Sequence, residues 1–514
     1  MRLHTLLRNI PELNFAGLAD LEIETLTADS RQVVPGALFV AVRGMVSDGH
    51  DYLSEAASRG ATALLGEGPD PLLGIPYLRV RDSRVSLANL AAAWYGNPSR
   101  KLVMIGVTGT DGKTTTVNLI YCILCEAGLK VGMITTVNAV IGNRTLDTGL
   151  HVTTPDALDT QKYLSQMVDA GMTHCVLEAT SQGIAQRRIA ACDFDLAVVT
   201  NITHDHLDYH GSYEAYREAK AELFTWLGEG GEKEGGPPKA AILNLEDMSY
   251  EFLSGVATTR QVTYGKEPGA DVFADGLISD VDGLRFMVHG RDFDIQVQSP
   301  LIGGYNLENC LAAFTTAVYG LGLSPESARR GIAVLSSVPG RMELIDLGQP
   351  FIAIVDFAHT PNSLRKALET SRSLTRGRVI AVFGSAGLRD REKRRMMAEI
   401  SVEKADLTVF TAEDPRTESL ENILEEMDAG ARANGGIEGK TFFRVLDRGD
   451  ALRHAISHAQ EGDLVIACGK GHEQSMCFGE VEYPWDDRVA LRAALAEYMG
   501  IDGPPMPHLP TSVG

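Results

Sequence analysis

Short apolar runs recur along this chain, each closed by a polar or glycine-rich turn and most followed by a stretch with helical spacing. Leu102-Val103-Met104-Ile105 is one such run, and behind it Val117, Ile120, Leu124 and Ala127 fall on one helix face. Residues 131–134, 174–177 and 196–199 read as further buried strands, with a helix over 156–170. Strand and helix in alternation predict a parallel α/β sheet. Residues 271–298 alternate polar with apolar and carry the turn Asp280-Val-Asp-Gly283, which predicts antiparallel ribbon added to that sheet. The last third repeats the α/β pattern, with strands over 352–355, 378–383, 406–411 and 463–467. Each runs into a polar loop: Asp356-Phe-Ala-His359-Thr360-Pro361, then 384–390, then Glu413-Asp414-Pro415-Arg416, then Gly469-Lys-Gly471-His472-Glu473. Open α/β sheets bind ligands at the carboxyl ends of their strands, so these four loops mark one crevice.

At 514 residues the chain is too long for one core. Turn formers at 95–99 and Pro339-Gly340-Arg341 divide it into three α/β domains, 1–100, 101–338 and 339–500. The small N-terminal domain precedes a central P-loop domain with a parallel sheet and added antiparallel strands, and the C-terminal domain is Rossmann-like. Residues 228–238 form a Gly-, Glu- and Pro-rich loop, and the Pro-rich stretch 501–514 is expected to be a disordered tail. A net charge of -21 opposes general affinity for nucleic acid or anionic membrane. No apolar run is long enough to span a bilayer and no signal-peptide pattern opens the chain, so a cytoplasmic location is expected; separately, the protein is expected to be a monomer. The seven scattered cysteines suit reduced thiols, and the CxxC of Cys122 and Cys125 reads as core packing.

The sharpest chemical signal is Gly106-Val-Thr-Gly109-Thr110-Asp111-Gly112-Lys113-Thr114-Thr115-Thr116, between the first strand and its helix. Glycines let backbone N–H groups converge on phosphate oxygens, the helix start adds a positive dipole end, and Lys-Thr supplies an ammonium and a Mg²⁺-ligating hydroxyl. The spacing is a shortened P-loop with Gly109 three residues before Gly112, and it predicts a nucleoside triphosphate site. Glu178 ends one strand, and Asn201-Ile-Thr-His204-Asp205-His206-Leu-Asp208-Tyr-His210 follows another, so both should face the same sheet edge. A carboxylate near Thr114 suits Mg²⁺, whereas the His and Asp spacing matches no common zinc pattern. Asp29-Ser30-Arg31 and Asp48-Gly49-His50 are ordinary capped turns as readily as ligand contacts.

Together these motifs resemble the Mur ligase family, MurE type. The likeness spans Asp29 to Arg488 and rests on Thr108–Thr116, Thr153-Thr154-Pro155, Glu178-Ala-Thr-Ser-Gln182, Asp205-His-Leu-Asp-Tyr-His-Gly211, Tyr216-Arg-Glu-Ala-Lys220, Gly304-Tyr-Asn306-Leu-Glu-Asn309, Asp356-Phe-Ala-His-Thr-Pro361 and Gly469-Lys-Gly-His-Glu473. It implies an ATP-dependent ligase that joins a diamino acid to UDP-N-acetylmuramoyl-L-alanyl-D-glutamate through an acyl phosphate, in peptidoglycan precursor synthesis. The resemblance places ATP against Gly109, Thr110, Asp111, Gly112, Lys113, Thr114 and Thr115, with Asn309, Arg341 and Asp356 clasping adenine, phosphate and ribose. It gives Mg²⁺ to Thr114, Glu178 and His206, and a second Mg²⁺ through water to Lys220, expected as N-carboxylysine formed with CO₂. Lys113, Glu178, His206 and Lys220 are thereby the catalytic set.

The UDP-linked substrate falls, by the same resemblance, on Ser30, Met45, Val46, Ser47, Thr153, Thr154, Thr180, Gln186 and Arg188. Thr180-Ser181-Gln182 departs from the family's Ser-Ser-His but keeps a hydroxyl. The free amino acid falls on Arg389, Glu413, Asp414, Pro415, Arg416, Gly469 and Glu473. Glu413-Asp414-Pro415-Arg416 stands where enzymes using meso-diaminopimelate usually have Asp-Asn-Pro-Arg. Arg416 suits a distal carboxylate while the charge of Asp414 opposes one, a nearly even balance that leans slightly to lysine or ornithine. Other ligases of the same fold, of the folylpolyglutamate or cyanophycin type, and an inactive nucleotide-binding protein are the competing readings. Asp29-Ser30-Arg31 and Asp48-Gly49-His50 speak against the first, and intact Lys113, Glu178, His206 and Lys220 against the second.

Overall fold

The computed structural model describes residues 1–10, 13, 15, 17–44, 47–147, 154–203 and 207–512. Its first sheet is four parallel strands in sequence order: β1 (Thr25–Thr27), β2 (Ala37–Val40), β3 (Ala63–Gly66) and β4 (Tyr77–Arg79). Leu38, Val40 and Leu65 pack on one face with the helix residue Leu90, while Phe39 and Leu64 pack on the other with Leu53 and Ala56. Period-two alternation therefore gives each face its own small core. The chain leaves this domain through Asn97, whose left-handed backbone (φ 52) turns it into Pro98–Lys101.

The second sheet is built on β5 (Val103–Thr108), β6 (Val131–Ile134), β7 (Asn138–Ile141), β8 (Arg144–Asp147), β9 (His174–Glu178), β10 (Leu196–Val199), β11 (Ala240–Asn244) and β12 (Arg260–Gly265). It continues with β13 (Val272–Asp280), β14 (Gly283–Gly290) and β15 (Phe293–Ser299), in the order β15-β14-β13-β12-β11-β10-β5-β9-β6-β7-β8. From β6 to β13 neighbouring strands run parallel, and the two edges are antiparallel. The ribbon predicted over 271–298 is thus present, while the parallel strands β11 and β12 were not foreseen. β5, with β9 and β10 on its two sides, is a central strand, so the phosphate loop at its end lies between two other strand ends. The helix Lys113–Glu126 buries Val117, Ile120 and Leu124 as its periodicity requires. Cys122 packs partly against that core and Cys125 is exposed, so only Cys122 matches the expectation for the CxxC. The loop after Glu229 is anchored by Lys233, whose ammonium donates to the Leu102 and Asp193 carbonyls and to the Asp195 carboxylate.

The third sheet has the order β16-β17-β21-β18-β19-β20, from β16 (Glu343–Leu344), β17 (Ile352–Asp356), β18 (Val379–Phe383), β19 (Leu407–Phe410), β20 (Phe442–Arg444) and β21 (Leu464–Cys468). All neighbours but the β16 edge are parallel, which brings the four polar loops to one side. A hairpin, β22 (Ser475–Phe478) and β23 (Val481–Pro484), follows the last of them. The Pro-rich tail expected to be disordered instead docks on this domain as far as Ser512. Leu509 is fully buried in its core, and the hydroxyls of Thr511 and Ser512 both donate to Asp447 at 2.9 Å. Two apolar contacts, Leu509 and the partly buried Met506, and two hydrogen bonds offset the entropy that the prolines have already lowered. Among the described residues no helix is long and apolar enough to cross a membrane.

Candidate functional site

The loop from Gly109 to Gly112 is shaped by backbone that only glycine adopts readily. Gly109 has φ 147 and Gly112 φ 83, and a side chain on either would meet the Thr200 hydroxyl or the Asn309 amide. The strand end after β10 holds the loop from beside. Thr110 N–H donates to the Asn201 carbonyl (2.7 Å), Asp111 N–H to Asn201 Oδ1 (3.0 Å), and the Thr200 hydroxyl donates to the Asp111 carbonyl (2.6 Å). Lys113 begins the helix and rests its ammonium on the Thr110 carbonyl at 2.8 Å.

The Thr114 hydroxyl donates to Glu178 Oε2 at 3.0 Å, and the Thr136 N–H reaches the same oxygen at 3.2 Å. Both Thr114 and Glu178 are buried. A hydroxyl and a carboxylate side by side are the all-oxygen donors that Mg²⁺ selects. Lys220 lies on the far side of the loop, almost wholly buried, donating to the Gly109 carbonyl at 2.5 Å above the Tyr216 ring. The Tyr216 hydroxyl lies 2.9 Å from that of Thr110, so one helix, Tyr213–Glu229, supports the loop twice. Asn309 is buried between Thr116 and Asn306. His206, Thr153, Met45 and Val46 lie outside the described residues.

Thr154 links this edge to Arg188, which lines a cleft against the N-terminal domain. Its hydroxyl donates to the Glu178 carbonyl (3.1 Å) and stands 2.9 Å from the Thr180 hydroxyl, which caps the short helix Ser181–Ala185. Arg188 donates to the Thr154 carbonyl and to Gln186 Oε1, and burial lowers its pKa. Arg188, Gln186 and Asp156 then face Arg43, Gly44 and Arg84 across an interdomain cleft. Arg43 and Arg84 were not singled out from the sequence, since nothing in their spacing marks them. Ser30 and Ser47 do not line this cleft. Asp48 and His50 form a local turn that ties to β3 through Glu67 N–H, and Asp29 caps its own turn while pairing with Arg31.

The C-terminal domain reaches the phosphate loop as well. Asn362 and Lys366, on the helix after the Asp356 loop, approach the Asp111 carboxylate at 3.5 and 3.7 Å. Asp356 accepts Met342 N–H (2.7 Å) and Ala358 N–H (2.8 Å), and Arg341 stacks over Phe357 at 4.4 Å. Burial raises the Asp356 carboxyl pKa against the pull of Arg341.

Deeper in the crevice, Lys470 is fully buried and bonds both oxygens of Asp414 at 3.0 Å and Glu473 at 2.5 Å. Asp414 also accepts Cys477 N–H at 2.9 Å. Lys470, which it shares with Glu473, thus offsets part of its charge, and this weakens the premise that Asp414 repels a distal carboxylate. Leu388, Asp414 and Arg416 all have positive φ, a concentration of unusual backbone in the loops that converge here. Among the described residues the Arg416 guanidinium pairs with no carboxylate. Arg394, fully buried, holds the 384–390 loop through Glu418 and the Ala386 carbonyl, which places Arg389 at the rim.

Glu413 is buried over Gly469 with Oε2 lacking a hydrogen-bond partner among the described residues. Burial pushes its carboxyl up to about 7, against the attraction of Arg448, Lys393 and Lys470. Its folded value lies above the ordinary 4.5, so ionisation costs stability as pH rises through that interval, fully so above about 7. Glu413→Gln is therefore expected to raise the melting temperature near pH 8, by about 1–3 kcal/mol of stability, and to change little near pH 4. Paired thermal melts at the two pH values check this, and equal shifts at both would contradict it.

Three family models match in chain order: the Mur ligase family catalytic domain over residues 22–95, the Mur ligase middle domain over 107–317, and the Mur ligase glutamate ligase domain over 340–471. A UDP-N-acetylmuramoyl-L-alanyl-D-glutamate--2,6-diaminopimelate ligase of Geobacillus thermodenitrificans is 41% identical, aligned over 97% of this chain and 100% of its own. A UDP-N-acetylmuramyl-tripeptide synthetase of Roseiflexus is 42% identical over 97% and 99%. A solved structure of a UDP-N-acetylmuramoyl-L-alanyl-D-glutamate--2,6-diaminopimelate ligase superposes with a TM-score of 0.66 at 29% identity, covering 97% of this chain and 100% of that one.

Proposed function

The chain belongs to the Mur ligase family, and we infer that it is an ATP-dependent ligase of the MurE type, adding a diamino acid to UDP-N-acetylmuramoyl-L-alanyl-D-glutamate in peptidoglycan precursor synthesis. The observation that carries this reading is the position of the phosphate loop between two other sites. Glu178 and Thr154 join it to the arginine-lined cleft, and Asp111 joins it to the C-terminal crevice. A carboxylate held in the cleft would face the γ-phosphoryl group, and an amine held in the crevice would meet the acyl phosphate from the other side. Two anions must be brought together first, so the work of the site is neutralisation and alignment.

In this reading Lys113 and the amides of Gly109–Thr115 hold the phosphates, with Asn309, Arg341 and Asp356 on adenine, phosphate and ribose. Thr114, Glu178 and His206 would hold Mg²⁺, which when bound supplies neutralising charge at the phosphates. Ser30, Met45, Val46, Ser47, Thr153, Thr154, Thr180, Gln186 and Arg188 belong to the UDP-linked substrate, and Arg389, Glu413–Arg416, Gly469 and Glu473 to the amino acid. For the third residue we propose 2,6-diaminopimelate. Lys470 offsets part of the charge of Asp414, Arg416 carries a fork suited to a second carboxylate, and relatives of full length are named for that substrate.

ATP-dependent phosphate release, measured with the UDP-linked dipeptide and meso-diaminopimelate, lysine or ornithine in separate reactions, tests the reading. Release with diaminopimelate, together with a UDP-tripeptide of matching mass, is expected. Release with lysine or ornithine alone would overturn the third residue and leave the ligase standing. No release with any of them would return the choice to a folylpolyglutamate- or cyanophycin-type ligase or to an inactive nucleotide binder.

A further inference from the structure

The loops assigned to the amino acid spring from β19 and β21, yet these strands are not neighbours, because β18 lies between them. Sheet hydrogen bonds therefore tie the two strand ends to each other only through β18, and they stop at Phe410 and Ala467, before the loops begin. Beyond the strands two side chains span the gap: Lys470, which bonds Asp414 directly, and Arg448. Arg448, the first residue of the helix Arg448–His458, is fully buried and donates from Nη1 to the Ala412 carbonyl (3.1 Å) and from Nη2 to the Cys468 carbonyl (2.7 Å). Ala412 immediately precedes Glu413, and Cys468 immediately precedes Gly469.

The guanidinium is itself held in a fixed orientation. Nε and Nη2 donate to the two oxygens of Asp487 at 2.7 Å each, and Asp487 Oδ1 also accepts the Trp485 indole N–H at 2.8 Å. Arg448 and Asp487 are both 0% exposed. A planar fork locked against a carboxylate cannot rotate without breaking parallel bonds, so its remaining donors define two points in space. From outside, the docked tail bonds Asp447, the cap of the same helix.

We propose that Arg448 is a positioning residue that, together with the Lys470–Asp414 pair, sets the spacing of the 413–416 and 469–473 loops and thereby the affinity for the third amino acid. This rests on reading the C-terminal crevice as the amino-acid site. Arg448 touches no substrate in this arrangement, and its effect passes through the Ala412 and Cys468 carbonyls. Misplacement of a binding group by about 1 Å costs up to about 10²-fold.

The test is steady-state kinetics on the full chain, with KM measured separately for the amino acid, ATP and the UDP-linked dipeptide. Arg448→Lys keeps the charge but loses the fork, and it is expected to raise the amino-acid KM by about 10-fold, with the other two KM values and kcat within about twofold. Trp485→Phe removes one hydrogen bond to Asp487 while keeping the ring, and remains informative if Arg448→Lys does not fold. It should move the same KM in the same direction by about threefold. Unchanged amino-acid KM in the folded variants, or a fall in kcat with all three KM values unchanged as active protein is lost, would overturn the proposal. Glu473→Gln is measured in parallel. If it raises the amino-acid KM while the Arg448 and Trp485 variants do not, the positioning role fails and the site assignment survives. If none of the three moves it, the crevice is not the amino-acid site and both fail.

Discussion

Lys113→Met is expected to lower ATP-dependent phosphate release by about 10²–10³-fold or more, the cost of removing one preorganised charge from a developing anionic transition state. The same variant should unfold within a degree or two of the parent. Lys113 sits at the head of its helix, and the one contact its ammonium makes among the described residues is with the Thr110 carbonyl, one turn back along its own loop. Among the described residues no carboxylate pairs with it, so its removal leaves none of their charges buried and uncompensated. Lys113→Arg should not restore the rate. Arginine keeps the charge but replaces a compact ammonium, placed 2.8 Å from the Thr110 carbonyl, with a longer planar head that puts its charge elsewhere. Single-turnover phosphate release beside a thermal melt checks both halves. Release within tenfold of the parent would remove Lys113 from the reaction, whereas a large drop in melting temperature would make it a structural residue.

What the sequence disclosed about this site follows from how local each feature is. The phosphate loop was legible because glycine spacing, strand and helix periodicity lie within one short stretch, and Val117, Ile120 and Leu124 do face the core. The four-loop crevice was legible for the same reason, since each apolar strand of the last third ends in a polar turn. The charge state of the crevice was not. Asp414 reads as an added negative charge until Lys470, 56 positions later, is seen to bond both its oxygens. Thr136, which shares Glu178 Oε2 with Thr114, carries no signal of its own, because a backbone N–H is the same in every residue but proline. Arg448 is equally silent, as its partners are two carbonyls whose closeness depends on strand order. The tail was misread because proline content suggests a solvated chain, while Leu509 and Met506 meeting the same hydrophobic core decide otherwise.

Lys220 is where the unmodified sequence and the proposed chemistry conflict most, and it yields the second large effect. An ammonium buried beside the phosphate loop would repel Mg²⁺, yet the structure gives its nitrogen a hydrogen bond to the Gly109 carbonyl and a seat over Tyr216. Reaction of the neutral amine with CO₂ forms an N–C bond and releases one proton, leaving a carbamate that keeps one N–H. That remaining N–H keeps a donor for the Gly109 carbonyl, so the modification is compatible with the bond the structure shows. Protein stripped of CO₂ in degassed buffer is expected to lose most of its ligase activity and to regain it when bicarbonate is added. Lys220→Ala should lose about 10³-fold and should not respond to bicarbonate alone. Intact-protein mass under mild conditions and isotopically labelled bicarbonate provide a readout independent of turnover, with one labelled carbon expected on Lys220. Activity indifferent to CO₂, with no label incorporated, would leave Lys220 as a cation whose task is to hold the Gly109 carbonyl. In that case Lys220→Arg, which keeps the charge and the donor, should retain activity within about tenfold, whereas the carbamate reading requires it to be as inactive as Lys220→Ala.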